Sequence, residues 1–247
     1  MIILFNIWPK PAILYLWSGI VFVFYTMNEL KSYYGEPRPY WVSDEIVGDR
    51  CATGFGNPSG HMLNNVFLWV TVYLHYFYAI GEEQVEYSKG IKITMTSLII
   101  IMTALMAKSR VFLGAHTFNE VLYGALLGVT LAFIGHYKVK PFVIQIPELL
   151  ISQDNDEKYQ VRTRYILITF IVTFAIPISI ATLLLWARED DQESALYLSE
   201  AWQKRMVKSG CKPEDLDNAI ILHNRQFEMS GAVTYITGAV FGQFFEA

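Results

Sequence analysis

Apolar residues gather along this chain in long runs separated by short polar stretches. Crossing about 30 Å of hydrocarbon takes roughly 20 apolar residues in a helix. Five runs approach that length, at 12–28, 62–80, 93–107, 117–136 and 165–186, and a weaker sixth lies at 229–245. The pattern predicts an all-α protein, a polytopic membrane helix bundle of about six transmembrane helices. Trp8 and Trp17 suit interfacial anchors for the first run, whose leading residues suit the interface plane. The third run is short but rich in Ile, Leu and Met, and Pro177 predicts a kink in the fifth. In the fourth, "GALLG" puts Gly124 and Gly128 on one face, which permits close approach of another helix.

The polar stretches then sort to two sides. If the first run exits at residue 29, segments 29–60, 108–116 and 188–227 share one face, and 81–92 and 137–164 share the other. Within the third of these, Pro213 suits the first turn of a helix over "KPEDLDNAIILHNRQF". Repeats and long linkers are absent from the sequence, so residues 1–247 are expected to form a single membrane domain with a motif-bearing core at 31–136.

Composition agrees, with 53% hydrophobic and 17% charged residues, too apolar for an ordinary soluble domain. The net charge of -4 and scattered basic residues leave no footprint for nucleic acid. Of 19 basic residues, 11 fall on the first face and 8 on the second. Setting aside Lys31, Arg38 and Arg110 makes this 8 against 8, so charge bias assigns no orientation. Cys51 and Cys211 stand far apart without CxxC spacing, and neither a structural metal nor any other cofactor is expected. The opening "MIILFNIWPKPAILYLW" lacks the basic start and cleavage site of a signal peptide and is expected to be retained. Asn57-Pro58-Ser59 fails as a glycosylation acceptor because of its proline.

Three polar clusters fall on the first face: "KSYYGEPRP", "PSGH" and "SRVFLGAH". Each alone has an ordinary reading. Ser59 can cap a helix, basic residues at a span end snorkel to headgroups, and a lone histidine at an interface is common. Together they make a different pattern, because topology brings all three to one side.

In order and spacing they resemble the three-part signature of the type 2 phosphatidic acid phosphatase superfamily. Lys31 is followed by six residues and Arg38-Pro39; then comes Pro58-Ser59-Gly60-His61; then Ser109-Arg110, five residues and His116. That superfamily includes lipid phosphate phosphatases, glucose-6-phosphatases and vanadium haloperoxidases. The resemblance covers residues 31–120. It implies that His116 attacks phosphorus to form a phosphohistidine and that His61 protonates the leaving oxygen. Physical chemistry supports the same set as a phosphate site. Arg38 and Arg110 offer planar forks, Lys31 a point charge, Ser59 a hydroxyl, and Gly60 and His61 backbone N–H groups at a helix start. Neutral His116 and charged His61 call for a bell-shaped pH profile. Glu120 lies one helical turn beyond His116 and can accept its imidazole N–H. The family usually has aspartate there, so this glutamate is a departure.

His75, His136 and His223 are expected to be non-catalytic, the first two because they fall toward the other face. Tyr33, Tyr34, Tyr40 and Trp41 read as an interfacial aromatic belt or a substrate wall. The resemblance implies an endomembrane location, such as the endoplasmic reticulum, with the site facing the lumen. There Cys51 and Cys211 either pair or remain two free thiols.

The leading expectation is a metal-independent integral membrane phosphatase acting on a lipid phosphomonoester such as phosphatidic acid. A sugar phosphatase is the alternative, since "EPRPYW" and "CATGFGNPSGHM" are similar to glucose-6-phosphatases, although those have more spans. A haloperoxidase is disfavoured because that branch is soluble. A non-catalytic membrane protein that binds lipid phosphate is the third reading, and the presence of both histidines and all three cations argues against it.

Overall fold

The computed structural model describes residues 10–48, 51–52, 54–78, 86–141 and 199–211. The runs at 165–186 and 229–245, and Trp8, Pro177, Pro213 and His223, lie outside the described residues. All regular structure among the described residues is helical.

Helix α1, Lys10–Tyr34, extends well beyond the apolar run at 12–28. Nothing in "ELKSYY" breaks a helix, and the helix ends only at Gly35, whose φ of 60° suits glycine. The Gly35 N–H donates to the Lys31 carbonyl at 3.1 Å. Lys31 therefore stands on the last helical turn rather than in a loop. Helix α2, Pro39–Val42, is a single turn opened by Pro39, and α3, Gly60–Phe77, begins directly after Ser59. Helix α4, Lys89–Phe112, is longer than the run at 93–107. Ser88 caps its start by accepting from the Ile91 N–H at 3.4 Å, and polar residues carry its last turn to Arg110 and beyond. Helix α5, Phe118–Ile134, continues into a π-helical turn, Gly135–Val139. Helix α6, Glu200–Lys208, lies far along the chain.

Helix α3 forms the centre of the bundle. Val23 and Met27 of α1 pack on Leu63 and Phe67 of α3 and Ala132 of α5. The glycine face of α5 lies directly on the backbone of α3. A Cβ on Gly124 would come 2.7 Å from the Ser59 carbonyl oxygen, and one on Gly128 would come 2.8 Å from that of Leu63. Larger residues would hold the helices apart, so these glycines set how near α5 brings its N-terminal end to the start of α3.

The chain is a membrane helix bundle, and its outer surface reflects that. Residues 89–112 and 118–139 are each long and apolar enough to cross a bilayer. Helix α4 buries none of its residues within the protein, leaving Ile93, Ile100 and Leu105 exposed. Lipid is the solvent such a surface requires.

Beyond the α1 and α3 ends that carry Lys31 and Ser59, a small cap assembles from distant segments. Tyr40, Trp41, Phe55, Met206 and Cys211 are buried together, with Trp202 packed on Trp41. Cys51 and Cys211 form a disulfide. Arg205 Nη1 donates to the Val42 carbonyl at 2.7 Å and Lys208 Nζ to Asp44 Oδ2 at 2.7 Å, holding the Asp44 carboxyl below its usual range. The aromatic cluster thus divides. Tyr33 and Tyr34 are exposed, whereas Tyr40 and Trp41 form the interior of this cap instead of a belt or a wall.

The two other described histidines lie at the opposite end of α3, away from His116. Buried His136 donates from Nε2 to the Tyr78 carbonyl at 2.7 Å, and Lys140 Nζ donates to His75 Nδ1 at 3.1 Å.

Candidate active site

His116 sits in the short connection between α4 and α5, one residue before the Thr117 cap of α5. The cap is reciprocal. Thr117 Oγ1 accepts from the Glu120 N–H at 3.3 Å, and Glu120 Oε2 accepts from the Thr117 N–H at 3.2 Å. That folding back of the glutamate brings the same Oε2 to 2.8 Å from His116 Nδ1. Both side chains are about 3% exposed, so the bond is shielded from water. The sequence carried a signal for this, the Thr-x-x-Glu capping box at 117–120.

The other face of the imidazole meets Arg38, whose Nη1 lies 3.4 Å from His116 Nε2. Arginine can only donate. Nε2 must therefore present its lone pair and Nδ1 must carry the proton, which it donates to Glu120. Burial, and then the charges of Arg38, Lys31, His61 and Arg110, push the His116 imidazole down to about 2. It is held neutral, with the lone pair of Nε2 in a cationic corner.

Each cation also has protein partners. Lys31 Nζ donates to the Phe55 carbonyl at 2.6 Å and to that of Gly56 at 3.1 Å. Arg38 Nε donates to the Gly54 carbonyl at 2.6 Å, and its Nη1 to that of Ala115 at 3.0 Å. Lys31 thus ties the end of α1 to the 55–56 segment, and Arg38 joins Gly54 to the 115–116 turn, roles that motif spacing does not indicate. Arg110, on the last turn of α4, donates from Nη2 to Ser109 Oγ at 3.2 Å, and its Nε is buried without a hydrogen-bond partner.

Ser59 and Gly60 are buried where α3 begins, and Ser59 takes the N-cap position without a side-chain cap bond. Its Oγ is likewise buried without a partner. A Cβ on Gly60 would strike Met27 Sδ, so a larger residue there requires the Met27 side chain to move. His61, the next residue, is exposed and near enough for its charge to act on His116. The structure thus gathers His116, Glu120, Lys31, Arg38, Ser59, Gly60, His61 and Arg110 at one end of the bundle. Gly56 is the residue that motif reading missed. It lies against the Glu120 carboxylate, and the only signal was a glycine within "GFGNPSGH".

Buried donors without partners, a neutral imidazole with a directed lone pair, and fixed cations make an arrangement suited to a phosphoryl group. No curated protein and no solved structure matches the chain. The family model described as the PAP2 superfamily matches residues 12–144, a stretch that holds every one of these side chains. The chain belongs to the PAP2 superfamily.

Proposed function

We propose that the chain hydrolyses a lipid phosphomonoester through a phosphohistidine on His116, without a metal ion. The observation that carries this reading is the 2.8 Å bond from His116 Nδ1 to Glu120, which directs the Nε2 lone pair into the cationic corner, where a phosphoryl group displacing the 3.4 Å Arg38 contact would meet it. In the first step Nε2 bonds to phosphorus as the ester P–O bond breaks, and the leaving alkoxide takes a proton from His61. In the second, His61 accepts a proton from water as that water attacks phosphorus. The P–N bond breaks, and inorganic phosphate leaves. Lys31, Arg38, Arg110, Ser59 Oγ and the N–H groups of Gly60 and His61 hold the phosphoryl oxygens and balance charge in the transition state.

Lipid is favoured over sugar by the surroundings of His116. Phe112 at the end of α4 is 85% exposed, and Phe118 at the start of α5 is 67% exposed. They flank the connection that carries the nucleophile, as suits a substrate with its head in water and its tail in hydrocarbon. A disulfide beside the site suits the lumenal or extracellular side of an endomembrane system.

The test is phosphate release by the detergent-purified protein with EDTA present, from phosphatidic acid and from glucose 6-phosphate. Turnover of the lipid alone, abolished in His116→Ala, is the expected result. Turnover of the sugar phosphate alone would reassign the substrate, and a strict need for added magnesium would overturn the mechanism.

A further inference from the structure

Gly56 touches the acidic partner of the nucleophile and carries no side chain of its own. A Cβ built on it would fall 2.5 Å from Glu120 Oε1, 2.8 Å from Cδ and 2.9 Å from Oε2. None of these is a tolerable contact, so any larger residue at 56 forces either the backbone or the carboxylate to move. Glycine is not needed there for its backbone freedom, because among the described residues the positive-φ glycines are Gly35, Gly114 and Gly210. It is needed for space.

The two sides of this contact differ in how easily they yield. The Gly56 N–H donates to the Glu36 carbonyl at 2.8 Å, and its own carbonyl accepts from Lys31 Nζ. On either side of that link, Phe55 is held by Lys31 and Gly54 by Arg38. The segment is tied in place by buried charged donors, the stronger class of hydrogen bond. The carboxylate is the end of a flexible side chain, retained by His116 and the Thr117 N–H. It would yield first, and its displacement breaks the bond that orients His116.

We infer that Gly56 is a positioning residue for the reaction, whose missing side chain makes the room a glutamate at 120 needs to reach His116. The inference rests on the phosphatase reading above and extends it to a residue outside the three motifs. It also accounts for a carboxylate one methylene longer than the family's aspartate. An aspartate at 120 would draw the carboxylate back by about one C–C bond, ~1.5 Å, toward its own backbone and away from Gly56. The demand for glycine at 56 and the choice of glutamate at 120 are two sides of one steric fit.

The test is a double-mutant cycle of wild type, Gly56→Ala, Glu120→Asp and the combined variant, with kcat and KM measured on the responsive phosphomonoester. In the glutamate background, Gly56→Ala is expected to lower kcat by about 10- to 100-fold with KM changed less than about threefold, as misorientation of a catalytic group does. In the aspartate background the same substitution is expected to lower kcat by less than about threefold. Equal losses in the two backgrounds, or no loss in either, would overturn the inference. Formation of the Cys51–Cys211 disulfide on non-reducing gels reports folding of each variant. Should Gly56→Ala alone fail to fold, the combined variant must still fold and match Glu120→Asp, and its failure to do so overturns the inference as well. Thermal unfolding of the four proteins in detergent reads the same coupling without turnover, with Tm lowered by Gly56→Ala more in the glutamate background. An inactive wild type would therefore sink the phosphatase reading, while the Tm cycle separately upholds or overturns the steric fit.

Discussion

The N–H of Ser59 donates to the carbonyl of Glu120 at 3.1 Å, joining the residue before α3 to the first turn of α5. This link fixes the start of α3, with its unpartnered Ser59 hydroxyl, relative to the carboxylate that holds His116. It forms because Gly124, one turn further along α5, lets the Ser59 carbonyl approach. Gly124→Val is expected to push the helices apart, lowering stability by about 1–3 kcal/mol and reducing kcat. Thermal unfolding in detergent with kinetics on the same preparation checks it, and unchanged values for both would refute the close contact.

Glu120→Ala is expected to lower kcat with little change in KM. The substitution removes the acceptor for His116 Nδ1–H but leaves Lys31, Arg38 and Arg110 to hold the phosphate. Glu120→Asp is not expected to improve the enzyme, because the pocket is spaced for the longer side chain. An unaltered kcat in Glu120→Ala would remove Glu120 from the mechanism.

Arg38 and Arg110 are expected to respond differently to replacement by lysine. Arg38→Lys loses the fixed geometry that joins the Gly54 and Ala115 carbonyls, so both Tm and kcat fall. Arg110→Lys loses a fork whose Nε has no protein partner, so KM for the phosphoester rises and kcat falls while Tm holds. Matching Tm losses in the two variants would contradict this division of labour.

The pH behaviour follows from His116. Its folded pKa near 2 lies below the ordinary 6.5 of an unfolded chain, so between these values the unfolded state binds the extra proton. Its contribution to stability is complete above pH 6.5 and declines as pH falls toward the folded value. The nucleophile of the free enzyme stays neutral across the same window, and the acid limb of kcat/KM that it governs is expected well below pH 6.5. Profiles of kcat/KM and Tm from pH 4 to 9 measure both, and an acid limb of kcat/KM centred at or above 6.5 that is traced to His116 would contradict its cationic, buried setting.

Cys211→Ser is expected to loosen the cap over α2. Closing a loop of 160 residues by a disulfide contributes roughly 2–5 kcal/mol, and the cap supports the turn that follows Arg38. A lower Tm and a raised KM are the expected outcomes, reproduced in the wild type by reductant. Wild-type kinetics in the fully reduced protein would show that the cap does not reach the site.

Much of this molecule is written in its linear order. Long apolar runs determine membrane helices because a bilayer leaves backbone groups no partner except their own helix. The same reasoning brings 29–60 and 108–116 to one face. The separation of four residues determines that Glu120 shares a helical face with His116, since that spacing is about one turn. Helix ends were less legible, because propensity carries α1 past its apolar run until Gly35 stops it. Only the tertiary structure decided what the cations touch. Lys31 and Phe55 are 24 positions apart, and Arg38 and Ala115 are 77 apart, so no local rule connects them. It also decided that Cys51 pairs with Cys211, that Tyr40 and Trp41 are interior, and that Gly56 faces Glu120. Those relationships depend on how closely separate helices and loops approach, which is set by side-chain volume at their contacts and not by any period in the sequence.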